Sequence, residues 1–455
     1  MQGRFQKWLG CGLAALLFVA APAAAGDMQP YLTSDPGYSS QGATAHLVSN
    51  NTSAMNFEAR IAALEAALAE KEECEWESVH GQKWSGKVGG RIMGDYVMWA
   101  NENTVLGNQD NYFEMRRLRI FLSGKGYGVY DYKFQLDFEP ENEEPSMKDM
   151  YIGIHEIPLL GYVRMGHFKG PSSLEEMTSS KYITFMERAL PNVFAMSRKV
   201  GIASYNNTHN DVFHLNYGVF FNDVDDNDKQ RVGDAQGVEF GIRGVWTPLY
   251  TANGRGVIHT GASWRYVDDR DDSVDFDSKP EIHEGDDWIA TGAIAARDYN
   301  IAGLELAGIY GPFSAQSELF YTNVNTIVGP NVNLYGAYVY GSWFLTGESR
   351  NYENDKKVFG RVKPHTNFWV VNTCDGCCSG WGAWELAARW SYLDYTDPNL
   401  PGGNQGTLND MTIGVNWHWN PYARMMLNWI HPLASNQAVG NGNGDIIAMR
   451  WQVDF

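Results

Sequence analysis

GYVRMGHFKGPSSLEEMTSSKYITFMERALPNVFAMSRKVGIAS, residues 161–204, starts as an alternating strand, leaves the alternation at Gly170-Pro171 and resumes it at Val200. Between those points lies a segment rich in charged and aromatic side chains: Glu175, Glu176, Lys181, Tyr182, Phe185, Glu187, Arg188, Phe194, Arg198 and Lys199. A connection this long in a strand-rich chain is uncommon, and when ordered it is usually functional. If the flanking strands close into a wide barrel, residues 170–199 belong inside the lumen, as a plug or constriction.

Outward from this stretch, the period of two recurs. Tyr132, Phe134, Leu136 and Phe138 alternate with Asp131, Lys133, Gln135, Asp137 and Glu139, and Met411, Ile413, Val415, Trp417 and Trp419 alternate with Asp410, Thr412, Gly414, Asn416 and His418. The chain ends on Ile447, Met449, Trp451, Val453 and Phe455 in the same pattern. A half-buried soluble sheet also alternates, so one such strand decides little. Here the pattern is repeated, with aromatics at strand ends as in an interfacial girdle. Alternating segments of roughly nine to eleven residues, the length a tilted membrane strand needs, begin near Val88, Tyr112, Tyr130, Lys148, Tyr162, Val200, Val212, Gly237, Gly256, Ile301, Ala315, Asn333, Gly382, Asn409, Tyr422 and Asp445. That is sixteen, an even number, as a closed single-chain bacterial barrel requires. The expected fold is all-β, a sixteen-stranded antiparallel transmembrane β-barrel over residues 84–455. Parity puts tight joints such as Gly311–Ser314 at one end and longer loops such as Tyr266–Asn300 at the other. Gly347–Gly380 is the exception, a long connection on the short-turn side: either a true excursion or a slip in the count.

Residues 1–25 read as a secretory signal peptide, with Arg4 and Lys7 before an apolar run and Ala23-Ala24-Ala25 as the cleavage site. Residues 26–56 lack any period and are expected to be flexible. Phe57, Ile61, Leu64 and Leu68 are spaced for an amphipathic, coiled-coil-type helix over residues 57–75, which would trimerise in front of a trimeric pore or pack alone on the barrel. The net charge of −19 argues against nucleic-acid or anionic-lipid binding. Cys374, Cys377 and Cys378 lie in a turn-rich run where a disulfide is expected ahead of zinc, because no further ligand pair completes a tetrahedral set.

RRLRIFLSGK (Arg116–Lys125), Gly166–Pro171 and Ser173–Asn192 resemble the phosphate-selective porin O/P family, and Ser342–Arg350, Gly382–Ser391 and the closing MRWQVDF extend the resemblance to about Trp84–Phe455. It implies a bacterial outer-membrane channel for phosphate or other small anions.

The inward register gives a candidate pore lining of Arg91, Arg117, Arg119, Lys133, Arg164, Arg243, Arg265, Arg389, Arg424 and Arg450. Lys181, Arg188, Arg198 and Lys199 would complete it as constriction and solute-binding residues. Charged groups face the lumen in any such barrel, since Arg or Lys facing lipid at midplane costs about 2–4 kcal/mol. An anion-guiding track is the sharper reading, because guanidinium groups pair well with phosphate oxygens. Interleaved carboxylates and acidic loops (Asp223–Asp228, Asp268–Asp287) favour a general, weakly selective channel instead. A structural role, with the N-terminal helix linking the outer membrane to a periplasmic layer, is the alternative of another class. No nucleophile elbow, zinc-protease or phosphate-loop motif is present, so no enzyme, resident metal or cofactor is expected. The expected partners are outer-membrane lipid, small anions or other solutes, and two further copies of the chain.

Overall fold

The computed structural model describes residues 78–80, 84–101, 109–139, 145–208, 210–221, 237–251, 254–270, 272–373, 376–400 and 405–455, without the side chains of 78–80 and 370–379. The expectations for residues 1–25, 26–56 and 57–75, for Asp223–Asp228 and for the cysteines lie outside what is described.

Sixteen long strands form one antiparallel sheet: β1 (Trp84–Asn101), β2 (Tyr112–Gly126), β3 (Tyr130–Asp137), β4 (Ser146–Ile157), β5 (Gly161–Lys169), β6 (Arg198–Asn207), β7 (Phe213–Phe221), β8 (Val238–Tyr250), β9 (Gly256–Asp268), β10 (Ala296–Tyr310), β11 (Phe313–Thr326), β12 (Val332–Phe344), β13 (Ala383–Asp394), β14 (Gly406–Asn420), β15 (Ala423–Asn436) and β16 (Asp445–Asp454). Every strand pairs with its neighbour in sequence, and β16 returns to β1 with Asp454 opposite Arg91 and Asp445 opposite Asn101. Closure removes both sheet edges, which a bilayer demands because it offers no water to unpaired backbone groups.

The faces are inverted relative to a soluble protein. On β11 the side chains alternate strictly, with Phe313, Leu319 and Tyr321 exposed and Ser314, Gln316, Glu318 and Thr322 buried. Likewise Leu304 and Leu306 face out around buried Glu305, and Met411 and Ile413 around buried Thr412. A one-residue slip would put Glu305 and Glu318 into lipid, so the polar alternation fixes the register. Aromatics ring both ends. Trp84 with Tyr127, Phe313 with Trp343, and Trp384 with Trp417 gather at the short-turn end. Trp264 with Tyr266, Tyr321 with Tyr335, and Trp390 with Tyr392 gather at the loop end. Such belts mark the two membrane interfaces.

Among the described residues, three connections turn into the lumen. Residues 170–197 leave β5 and cross to the far wall, where Pro191 packs against Gly336 of β12 and Phe185 against Gly414 of β14. A Cβ on Gly336 would lie 2.8 Å from the proline ring, so a bare backbone is what lets the segment come this close. The segment carries the single-turn helix α1 (Leu174–Met177), capped by Ser173 Oγ, which accepts from Glu176 N. From the same end, residues 269–295 bring Phe276, Ile282, Trp288 and Ile289 into an apolar cluster with Leu190 and Phe194 of the first segment. From the short-turn end, residues 345–368 enter with Tyr352, Lys357 and Phe359 buried. The strand count therefore holds, and the long connection around Gly347–Gly380 is a true excursion whose first part folds inward.

Candidate functional site

The inward connections divide the lumen unevenly. Along β8–β16 the wall is covered by the segments packed on it, apart from a cavity lined by Lys181, Arg361, Arg424 and Gln452. Glu318 of β11 accepts from the backbone N–H groups of Leu174 (3.0 Å) and Glu175 (2.8 Å), taking the free donors at the start of α1. Leu190 N donates to Ser391 Oγ of β13, Asn416 Nδ2 to the Thr184 carbonyl, Arg424 Nη1 to the Ile183 carbonyl and Arg265 Nη1 to the Phe194 carbonyl. Four arginines here are matched by acids, whereas Arg424 is held by Gln452 and the Ile183 carbonyl. Arg243 makes two 2.8 Å bonds to Glu305, Arg450 pairs with Asp95 at 2.6 Å, and Arg389 and Arg265 pair with Glu281 and Glu239. Side chains of Arg243, Arg389 and Arg450 are 0% exposed. These three, expected to line a pore, face inward as the alternation requires but are covered by chain, and Arg265 is nearly so.

Along β1–β6 the cover is incomplete. Lys133 keeps 24% of its side chain exposed, and Lys181, Arg188, Arg198 and Lys199 each keep 16%. Ion pairs link these groups across elements. Asp149 of β4 bridges Lys133 of β3 and Arg198 of β6, the latter at 2.7 Å. Glu176 of α1 bridges Lys169 and Arg188, both at 3.1 Å. Asp454 bridges Lys181, at 3.2 Å, and Arg361 of the third inward segment. Arg119 pairs with Asp137 at 2.5 Å, while Arg91 donates to Ser180 Oγ at 2.7 Å rather than to a carboxylate. Lys199 reaches Glu239 at 3.6 Å. In the network running from Lys169 to Arg361, seven cations (Arg119, Lys133, Lys169, Lys181, Arg188, Arg198, Arg361) share four carboxylates, and Arg91, bonded to Ser180, makes an eighth cation. Within it Glu176 is held ionised: burial pushes its pKa up, but Arg188 and Lys169 outweigh that and bring it to about 2.

Of the remaining predicted lining residues, Arg164 is stacked among Tyr151 (4.1 Å), Tyr205 (5.1 Å), Tyr162 and Phe168 (both 5.3 Å). Arg117 lies 3.9 Å from Glu187, and Arg424 donates to Gln452. Lys169, Glu176, Arg361 and Asp454 also belong to the network and were absent from the predicted set. The alternation that gives the lining also places Asp149 inward, and Asp454 sits at an inward register position that it could have found. Arg361 lies in a connection with no period to place it.

A family model for phosphate-selective porin O and P matches residues 87–455. The chain is 28% identical to Porin O of Pseudomonas aeruginosa over 403 residues, covering 80% of this chain and 86% of that protein. Its fold is similar to that of an anion-selective porin from Comamonas acidovorans, with a TM-score of 0.52, 12% identity and coverage of 82% of this chain and 100% of that one. It is also similar to the trimer form of OmpT from Vibrio cholerae, with a TM-score of 0.51, 10% identity and the same two coverages.

Proposed function

The chain belongs to the phosphate-selective porin O and P family, outer-membrane channels for small hydrophilic solutes, and from that premise we propose that it prefers anions, inorganic phosphate among them. The observation that carries this reading is the charge ratio of this network, eight cations to four carboxylates, with six of the cations partly exposed and Arg91 and Arg119 buried beside them. Surplus positive charge in a narrow low-dielectric passage lowers the cost of an anion and raises that of a cation. Residues 170–199 act as the constriction, with Lys181, Arg188, Arg198 and Lys199 at its solvent-facing side. Passage is diffusive and needs no enzymatic step. The weakly selective alternative draws on one fact: each of those four cations has a carboxylate within 3.6 Å.

The reversal potential of purified protein in a planar bilayer under a potassium chloride gradient decides between them. Anion preference is expected, together with block of chloride current by added phosphate. A cation-selective or neutral reversal potential overturns the proposal, and selective current without block overturns phosphate as a bound solute. We further propose a homotrimer assembled with help from residues 57–75. Deletion of that stretch should weaken trimers in detergent; intact trimers with a loosened envelope would assign it to anchoring.

A further inference from the structure

Where the inward segment 269–295 meets the loop end of the wall, one imidazole is surrounded by carboxylates. His283 Nδ1 lies 2.8 Å from Glu114 Oε2 of β2 and 3.0 Å from Glu284 Oε1, and its Nε2 lies 3.8 Å from Glu139 Oε1, just beyond β3. The candidate donor atoms of Glu114, Glu139 and His283 all fall within 4.8 Å of one another. Arg116 is the nearby guanidinium, but it is shared between Glu139 at 3.1 Å and Glu187 at 2.9 Å. One ring N–H cannot serve two carboxylate oxygens well, so Glu114 and Glu284 converge on Nδ1 with too little positive charge between them.

A second observation points the same way. Glu114 Oε1 is buried and has no hydrogen-bond partner, a costly state for a carboxylate oxygen. With metal–ligand bonds of about 2.0–2.2 Å, ligand atoms around a tetrahedral zinc lie roughly 3.4 Å apart. Adjustments of less than about 1 Å would seat one. A donor set of one imidazole nitrogen and several carboxylate oxygens suits zinc or a similar first-row ion better than calcium, which takes six to eight oxygens.

We infer that Glu114, Glu139 and His283, with Glu284 beside them, form a divalent-cation site matched to zinc that ties the 269–295 segment to the barrel wall. Sequence spacing gave no sign of it because the ligands come from three elements far apart in the chain. The bound ion clamps the segment whose Glu281 holds Arg389, and through Arg116 and Glu187 it borders the 170–197 segment.

The test is calorimetric titration of the full-length protein in detergent with zinc chloride, in a background with Cys74, Cys374, Cys377 and Cys378 changed to serine so that thiolates contribute nothing. Saturable binding at one site per protomer is expected, with His283→Ala and Glu114→Gln each lowering affinity at least about tenfold. Asp275→Asn, an exposed acid of the same segment, should leave affinity unchanged. Absence of saturable binding overturns the site. An equal loss in Asp275→Asn also overturns it, since that reports diffuse attraction to an acidic loop. Calcium binding as tight as zinc and indifferent to His283→Ala reports a carboxylate cluster only, and overturns it too. Should His283→Ala fail to show a folded barrel's heat-modifiable mobility, Glu139→Gln carries the same expectation.

Discussion

Two regions of one lumen use the same residue types in different states. On the β8–β16 side, Arg243 with Glu305 and Arg389 with Glu281 are matched pairs with both guanidiniums fully covered, while buried Arg424 is held by Gln452 and the Ile183 carbonyl. On the β1–β6 side, a single carboxylate such as Asp149 or Asp454 serves two cations, and all these side chains but Asp454 are partly exposed. The difference follows from solvation. A charge removed from water is tolerated only when paired and hydrogen-bonded, so the sealed region must balance its charges one against another. Surplus charge persists only where water or a passing ion can share it. The stoichiometry of acids and bases therefore marks which part of the barrel carries solute.

The largest effect should come from unbalancing the sealed region. Glu281→Gln leaves Arg389 buried beside a neutral amide with Glu175, 3.6 Å away, as its remaining carboxylate, and breaking a buried pair costs about 3–5 kcal/mol. Denaturant unfolding in detergent should show this loss, while channels that still fold keep their ion selectivity. Asp149→Asn, whose partners Lys133 and Arg198 stay partly exposed to water, should cost less than Glu281→Gln. Equal losses would erase the distinction between the two regions.

Next comes selectivity. Changing Arg91, Lys133 and Arg198 together to Gln removes three of the eight network cations and leaves the carboxylates in place. The anion-to-cation permeability ratio, read from reversal potentials, should fall by about tenfold. Lys181, Arg188 and Arg198 changed together to Gln should lower it too, because all three lie on the solvated side. Arg243→Gln in folded channels should not move it. Asp149→Asn acts in the opposite direction and more weakly. It releases Lys133 and Arg198 from their shared partner, so phosphate should block current at concentrations lower by roughly two- to threefold.

How much of this was legible in the chain depends on whether period or contact carried the information. All sixteen strands were found, those starting at Tyr112, Tyr130, Gly256 and Asp445 to the residue, because a membrane barrel imposes a period of two on every strand. The same period put Arg243, Arg389 and Arg450 on the inner face, but it could not tell an open lumen from one filled by chain. That distinction is made by Glu318 receiving α1, by Gly336 receiving Pro191 and by the 345–368 segment entering from the short-turn end. None of these contacts has a sequence period. Charges alone likewise gave an arginine track and could not show that Asp149, Glu176 and Asp454 each serve two cations.

The smallest expected effect is also the most specific to the solvated region. Burial lowers the pKa of Lys181, and the Arg91 and Arg361 guanidiniums lower it further against the opposing pull of Asp454. The protonated form is the one that favours anions, so its contribution is complete well below its pKa and is lost as pH rises through it. That loss falls below the ordinary lysine value near 10.4. Anion preference should therefore decline modestly in the alkaline range as Lys181 loses its charge. Lys181→Arg keeps its charge throughout and should flatten the decline. A profile identical in the two proteins would remove Lys181 from the solute path while leaving Lys133 and Arg198 on it.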